Sequence, residues 1–287
     1  MKLNTLYEIL NNSVKNFSER IAFSLWRGGS YTYKEVGEKV AEVQELLRSA
    51  GLKKGDKVVL LSSNMPNWGV CYFAITTGGY TVVPVLPDFT SADIDRIVEH
   101  SEAKAMCVSD KLFTKISSEL SSKLNIIIRT KNLSVLSQNV KEEGELTIPQ
   151  PEDLAAIIYT SGTTSQPKGV MLTHEMLNTA VASHCGVFPL SDKDVVLNFL
   201  PFTHVLERGW AYLCIANGCT LAVNRNPSDV LRSMREVHPT CMCAVPRFWE
   251  KVYAAVWERI ERSNPMQKKL LLDALSVGHE YNVEYRM

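Results

Sequence analysis

Residues 154–174, LAAIIYTSGTTSQPKGVMLTH, concentrate the chemistry that a phosphate needs. The apolar stretch LAAIIY leads into Thr160, Ser161, Gly162, Thr163 and Thr164, four hydroxyls and a glycine in five positions. Hydroxyls and backbone N–H groups both donate, and each phosphate oxygen accepts several such bonds. Lys168 adds a compact positive charge, and Gly169 then opens a second apolar run, VML. Gly162 and Lys168 share the spacing of the G-x-x-x-x-G-K-[ST] loop. Pro167, however, stands at the second glycine and Gly169 at the magnesium-binding hydroxyl, so that loop fails at two mechanistic positions. The plainer alternative is a solvated Ser/Thr/Gly connection between two strands.

A second group of residues lies in NFLPFTHVLERGW (198–210) and PTCMCAVPRFWEKVY (239–253). Phe199, Phe202, Val205, Trp210, Val245, Phe248 and Trp249 could wall an alkyl chain, which needs apolar contact along its length and polar groups at the carboxylate alone. Aromatic residues at these spacings are also what an ordinary core requires. His204 could equally cap the helix that follows, with Glu207 and Arg208 a structural ion pair and Arg247 a surface charge. His100, His184, His238 and His279 belong to no recognisable constellation. Cys241, Cys243 and His238 lack the spacing of a zinc site.

The elements that must position these groups alternate along the chain. Thr32 with Glu35 forms a capping-box pattern, and Val36, Val40, Val43 and Leu47 make one helical face that Gly51 ends in a left-handed cap role. Strands are expected at 57–63, 81–86 and 103–109, with helices at about 68–77 and 91–100. The polar stretch 121–151 reads as a surface connection. Further strands are expected near 154–159, 194–199, 218–223 and 240–245, and helices near 247–262 and 265–280. Strand–helix–strand order implies parallel pairing, with ligands beyond the carboxyl ends of the strands.

Composition narrows the function. Thirty-one basic residues offset thirty-one acidic ones, which argues against nucleic acid as a partner. Seven cysteines without a CxxC pair suggest a reducing, cytoplasmic setting. The N-terminus lacks the apolar core of a signal peptide. The apolar stretch 70–86 is broken by Gly78, Gly79 and Pro84, so any membrane contact should be peripheral.

YTSGTTSQPKGVMLTH resembles the signature of the adenylate-forming superfamily, which includes acyl-CoA synthetases, luciferases and peptide-synthetase adenylation domains. Ser165 stands where that family usually has glycine, a change that bears on loop conformation. SYTYKEVGEKV, GLKKGDKVVLLSSNMPNW and GGYTVVPVLP also resemble family segments. The HxxER form at 204–208 and VPRFWEKVY look most like long-chain fatty acyl-CoA synthetases. The resemblance implies an α/β fold of layered, mostly parallel sheets flanked by helices. It implies a first subdomain at about 51–190 and a second, incomplete, from about 1–50 plus 191–287.

The implied reaction joins a fatty acid to ATP, giving acyl-AMP and pyrophosphate, after which coenzyme A displaces AMP. A carrier protein as acceptor, or a non-catalytic nucleotide-binding module, are the alternatives. By resemblance, Lys168 and His204 are the catalytic residues. Thr160, Ser161, Gly162, Thr163, Thr164, Lys168 and Gly169 bind the nucleotide, and Thr160 is the implied Mg2+ ligand. His204, Phe202, Trp210 and Val245 meet the acid. The family's adenine, ribose and C-terminal lysine motifs do not follow VPRFWEKVY. The expectation is an N-terminal portion without its C-terminal domain, inactive alone, with uncovered apolar surface that favours self-association.

Overall fold

Thr32 accepts from the Glu35 backbone N–H while the Glu35 side chain accepts from the Thr32 backbone, so the capping box forms as its spacing requires. It starts a helix whose Val36, Val40, Val43 and Leu47 are all buried. Gly51 follows at φ +77, in the left-handed region glycine tolerates best. In this computed structural model, residues 4–160 and 168–285 are described. The elements in chain order are α1 (Leu6–Asn16), β1 (Ile21–Leu25), β2 (Ser30–Thr32), α2 (Tyr33–Arg48), β3 (Lys57–Leu61), α3 (Pro66–Thr77), β4 (Thr81–Pro84), α4 (Ser91–Ser101), β5 (Ala105–Val108), α5 (Asp110–Phe113), α6 (Ser118–Lys123), β6 (Ile126–Arg129) and β7 (Val135–Gln138). After these come β8 (Leu154–Thr160), β9 (Lys168–Thr173), α7 (His174–Cys185), β10 (Val195–Asn198), α8 (Val205–Ala216), β11 (Thr220–Val223), α9 (Val230–Val237), β12 (Cys241–Met242), α10 (Pro246–Glu261) and α11 (Pro265–Tyr285).

Two sheets result. The seven-stranded one runs β7-β6-β5-β3-β4-β8-β9, parallel from β6 to β8 with an antiparallel strand at each edge. The five-stranded one runs β12-β10-β11-β1-β2, parallel except for β2. Alternate residues of β3 face opposite ways, as a strand requires. Val58 and Leu60 join one apolar cluster with α1, α2, α3, α8 and the other sheet, while Val59 and Leu61 join a second with Ile94, Ile97 and Val98 of α4. A parallel sheet must be covered on both faces, and this one is. Every residue of α3 is buried, which explains why its sequence has no polar side.

The stretch 121–151 departs from its reading as a surface connection. Ile126, Ile127 and Ile128 are fully buried in β6, pairing with β5, and β7 returns alongside. Three consecutive isoleucines inside polar sequence are enough for a short strand and too few to move a window average. The strand expected at 240–245 shrinks to Cys241–Met242, and Pro246 then begins α10. Residues up to Cys243 form one compact unit and Ala244 onward another. In the second, α10 and α11 expose Trp249, Tyr253, Met266, Leu270, Val277 and Tyr281. Among the described residues, no helix is long and apolar enough to cross a membrane.

Candidate active site

β8 and β9 form an antiparallel stem in which Thr160, the last residue of β8, pairs with Lys168, the first of β9. Both are exposed, at the carboxyl end of a strand that lies parallel to β4. Strand alternation puts Thr160 and Lys168 on one face of the stem and Tyr159 and Gly169 on the other. Ser161, Gly162, Thr163 and Thr164 lie outside the described residues. Gly169 sits opposite Tyr159, and a side chain there would meet Ile157 Cγ2 at 2.9 Å and the Tyr159 ring at 3.4 Å. The glycine therefore leaves room for the Ile157 side chain, with the Tyr159 ring in ordinary contact beside it. Tyr159 is buried, which raises its phenol pKa, and its hydroxyl lies 2.7 Å from Nδ1 of His100 on α4.

The far end of this segment builds scaffold. The Thr173 hydroxyl accepts from the Met176 N–H and caps α7. His174 is 1% exposed, and its Nδ1 accepts from the N–H of Leu6, one of the donors that the start of α1 leaves without a helical partner. Burial lowers the His174 pKa to about 4, with Asp153 pulling weakly the other way. Asp153 is itself paired to Lys54 at 2.8 Å and accepts the His174 N–H at its carbonyl.

The turn from β10 into α8 is buried rather than exposed. Asn198 and Glu207 are both 0% exposed, and Asn198 Nδ2 donates to Glu207 Oε1 at 2.8 Å. Desolvation pushes the Glu207 carboxyl up to about 8, against the hydrogen bonds from Asn198 and the Phe199 backbone. No ion pair joins Glu207 to Arg208, contrary to the sequence reading. Neighbours in a helix point about 100° apart, and each finds its own partners. The buried Arg208 donates from Nη1 to the Thr203 carbonyl at 3.4 Å, and its guanidinium lies 5.4 Å from the Tyr72 ring centroid.

His204 is exposed and holds the N-cap position of α8, though its side chain makes no capping bond. Phe202 is a core residue, stacked on Trp68 at 5.2 Å, with its N–H given to Asn64. Trp210 is half-buried, edge-on to Phe188 at 5.4 Å. Val245 is half-buried at the start of α10 and belongs to the second compact unit. Beside Phe202, Trp68 and Arg208 is a cavity of about 20 Å³, room for about one water molecule and not for an alkyl chain. In the second unit, Trp249, Tyr253, Val256, Trp257 and Leu275 line an apolar groove of about 780 Å³.

Among the described residues, no group of three or more His, Cys, Asp or Glu side chains could hold a metal ion, so Cys241, Cys243 and His238 form no zinc site. A magnesium ion makes a smaller demand: one or two protein oxygens, with water and substrate phosphates completing its octahedron. The exposed Thr160 hydroxyl fits that limited part. The His100–Tyr159 contact and the Asn198–Glu207 bond went unread in sequence. The first joins residues 59 apart with no shared pattern, and the second depends on burial, which residue type alone does not reveal.

The chain matches the family model described as AMP-binding enzyme over residues 10–281. Long chain acyl-CoA synthetase 1 of Arabidopsis thaliana is 28% identical across 96% of this chain and 47% of its own length. Fatty acyl-CoA synthetase B of Dictyostelium discoideum is 28% identical across 98% of this chain and 46% of its own. The chain thus spans a little under half the length of these relatives. Among solved structures, the N-terminal domain of FACL13 from Mycobacterium tuberculosis superposes with a TM-score of 0.73 at 20% identity, covering 85% of this chain and 64% of that one. The o-succinylbenzoate CoA synthetase of Bacillus subtilis, in complex with its acyl-adenylate intermediate, gives 0.72 at 21% identity, over 90% and 65%. At such identities the structures share the fold: α/β, with mostly parallel sheets flanked by helices.

Proposed function

Because this chain belongs to the AMP-binding enzyme family, we propose that it carries the polyphosphate grip of an enzyme that activates a long-chain fatty acid with ATP and passes it to coenzyme A. One observation supports this most directly. A hydroxyl and a cation, Thr160 and Lys168, face the same way at the carboxyl end of β8, and the chain between them carries Ser161, Gly162, Thr163 and Thr164. The acid carboxylate attacks the α-phosphorus of ATP, and pyrophosphate leaves with the bonding electrons. An anion meeting a polyanion needs its charge neutralised and its groups held in line.

Lys168 and the loop hydroxyls and backbone N–H groups hold the departing β- and γ-phosphates. Thr160 is the one magnesium ligand we assign here, and the ion, when bound, neutralises phosphate charge. No protein nucleophile is required, since the substrate carboxylate serves. We assign His204 to the carboxylate end of the acid, with Trp210 on its apolar wall. Phe202, 2% exposed, backs that wall from the core. The two sheets suggest the two subdomains, 51–190 and 1–50 with 191–287. Seven free cysteines suit a reducing cytoplasm.

The long-chain assignment rests on HxxER, on VPRFWEKVY and on relatives named long chain acyl-CoA synthetases. ATP–pyrophosphate exchange by the full-length protein, run over a ladder of acids, tests it. Each methylene buried is worth about 0.8 kcal/mol, roughly fourfold in efficiency, until the site is full. Preference for acetate or an aromatic acid over palmitate would remove the long-chain reading, and absence of exchange with every acid would remove the enzyme reading.

A further inference from the structure

The stem that carries Thr160 and Lys168 is an edge hairpin. Among the described residues β9 has a partner on one side alone, and Val170 and Met171 on it are exposed. An edge strand held by one ladder is where a sheet frays first. One residue pair before the two site residues, the stem has a side-chain anchor. Tyr159 stacks over the space left by Gly169, packs in the same apolar cluster as Ile94, Ile97 and Val98 of α4, and meets Nδ1 of His100 in the last turn of that helix. The two rings meet edge to face, centroids 5.7 Å apart at 87°. α4 is fixed by its own Thr90–Asp93 capping box at the opposite end.

We propose that His100, Tyr159 and Gly169 are positioning residues that latch the stem to α4 and so set where Thr160 and Lys168 stand. The latch acts on the face of the stem opposite the ligand, so it touches no phosphate. It works by holding β8 and β9 in register at the pair next to Thr160 and Lys168. Gly169 belongs to it because a Cβ there would collide with Ile157 Cγ2 at 2.9 Å, beside the Tyr159 ring, and force a shift at the pair that carries the latch. The inference rests on the polyphosphate reading of Thr160 and Lys168.

Two measurements separate the latch from that reading. The first uses the 287-residue chain. Trypsin cuts after Lys168 when β9 leaves β8, and the fragment is identified by mass. In Tyr159→Phe and in His100→Phe, cleavage there should quicken roughly two- to tenfold, the worth of one hydrogen bond. The double variant should be no faster than the faster single one, because both remove the same bond. His100→Gln, whose amide can still bond the phenol, should restore slow cleavage. The second measurement uses the full-length protein in pyrophosphate exchange. KM for ATP should rise by a similar factor, with KM for the acid unchanged.

Unchanged cleavage after Lys168 in both single variants overturns the latch, whatever the exchange result. Additive effects without rescue by Gln, or KM for ATP and acid rising together, also overturn it, since these mark general loosening. Quickened, non-additive and rescued cleavage with KM for ATP unmoved leaves a clip on the hairpin and overturns its role in positioning the site. A wild-type protein without exchange activity counts against the polyphosphate reading, and the cleavage series then decides the latch alone.

Discussion

The β8–β9 stem and the β10–α8 turn both sit at the carboxyl ends of strands, one in each sheet, and they hold polar groups in opposite ways. At the stem, Thr160 and Lys168 stand in water on an edge hairpin, while the groups that organise them, Tyr159 and His174, are buried on either side. At the turn, Asn198, Thr203, Glu207 and Arg208 are all buried, and His204 alone of the named polar groups reaches solvent. A charge in water costs the fold almost nothing and is free to meet a ligand. A charge in the core must neutralise or find partners. Substitutions should therefore change ligand affinity at the stem, and they should change stability at the turn.

The largest expected effect lies at the turn. Glu207 has a folded-state pKa raised to about 8 from an ordinary 4.5, so the folded state prefers it protonated. Its contribution is full below pH 4.5 and is lost as the pH rises to about 8, at about 1.4 kcal/mol per pH unit. Urea unfolding of wild type and Glu207→Gln across that window should show several kcal/mol of slope that the variant lacks. Identical slopes would place the carboxylate in contact with water or with Arg208.

The scaffold end of the stem should show the opposite sign. His174 is held neutral with its pKa lowered to about 4 from 6.5, so its contribution is present above pH 6.5 and is lost as the pH falls towards 4. The loss amounts to about 3 kcal/mol. His174→Gln can still accept the Leu6 N–H and should remove this acid slope. If the variant keeps it, other groups carry the acid sensitivity.

The smallest free-energy change is the one most visible in function. Lys168→Ala should leave the unfolding midpoint within the narrow range of exposed substitutions, about 0.5 kcal/mol. In the full-length protein it should weaken use of ATP roughly ten- to a hundredfold, for a lost charge-assisted contact of about 1.5–3 kcal/mol. A variant that instead melts early while using ATP normally would erase the contrast between the two regions.

How much of this was legible before folding follows from the same contrast. The capping box at Thr32, the apolar face of α2 and the hydroxyl-rich loop are local patterns with fixed spacing, and the sequence displays them directly. The parallel order of strands follows from the alternation of elements. β6 escaped because three isoleucines lie within a polar stretch. The absence of a Glu207–Arg208 pair could not be read, since adjacent helix residues diverge and each partner comes from elsewhere in the chain. His100 was set aside as a histidine without a constellation, because its partner Tyr159 joins it only when α4 packs on the sheet.

The pairing of β1 with β11, Phe23 against Leu221, has a consequence for how the protein is made. The seven-stranded sheet draws every strand from residues 57–173, so all of it can assemble before β11 leaves the ribosome. β1 and β2 precede the rest of their sheet in the chain and have no parallel partner to join until β11, ending at Val223, has emerged. Contacts this distant in sequence are slow to close, and domains form as their residues arrive. Phe23, buried in the native core against Gly69 of α3, cannot take its place in that sheet until then. The β1–β2 hairpin is a segment that a ribosome-associated chaperone would have to shield, since its sheet closes only when β11 arrives.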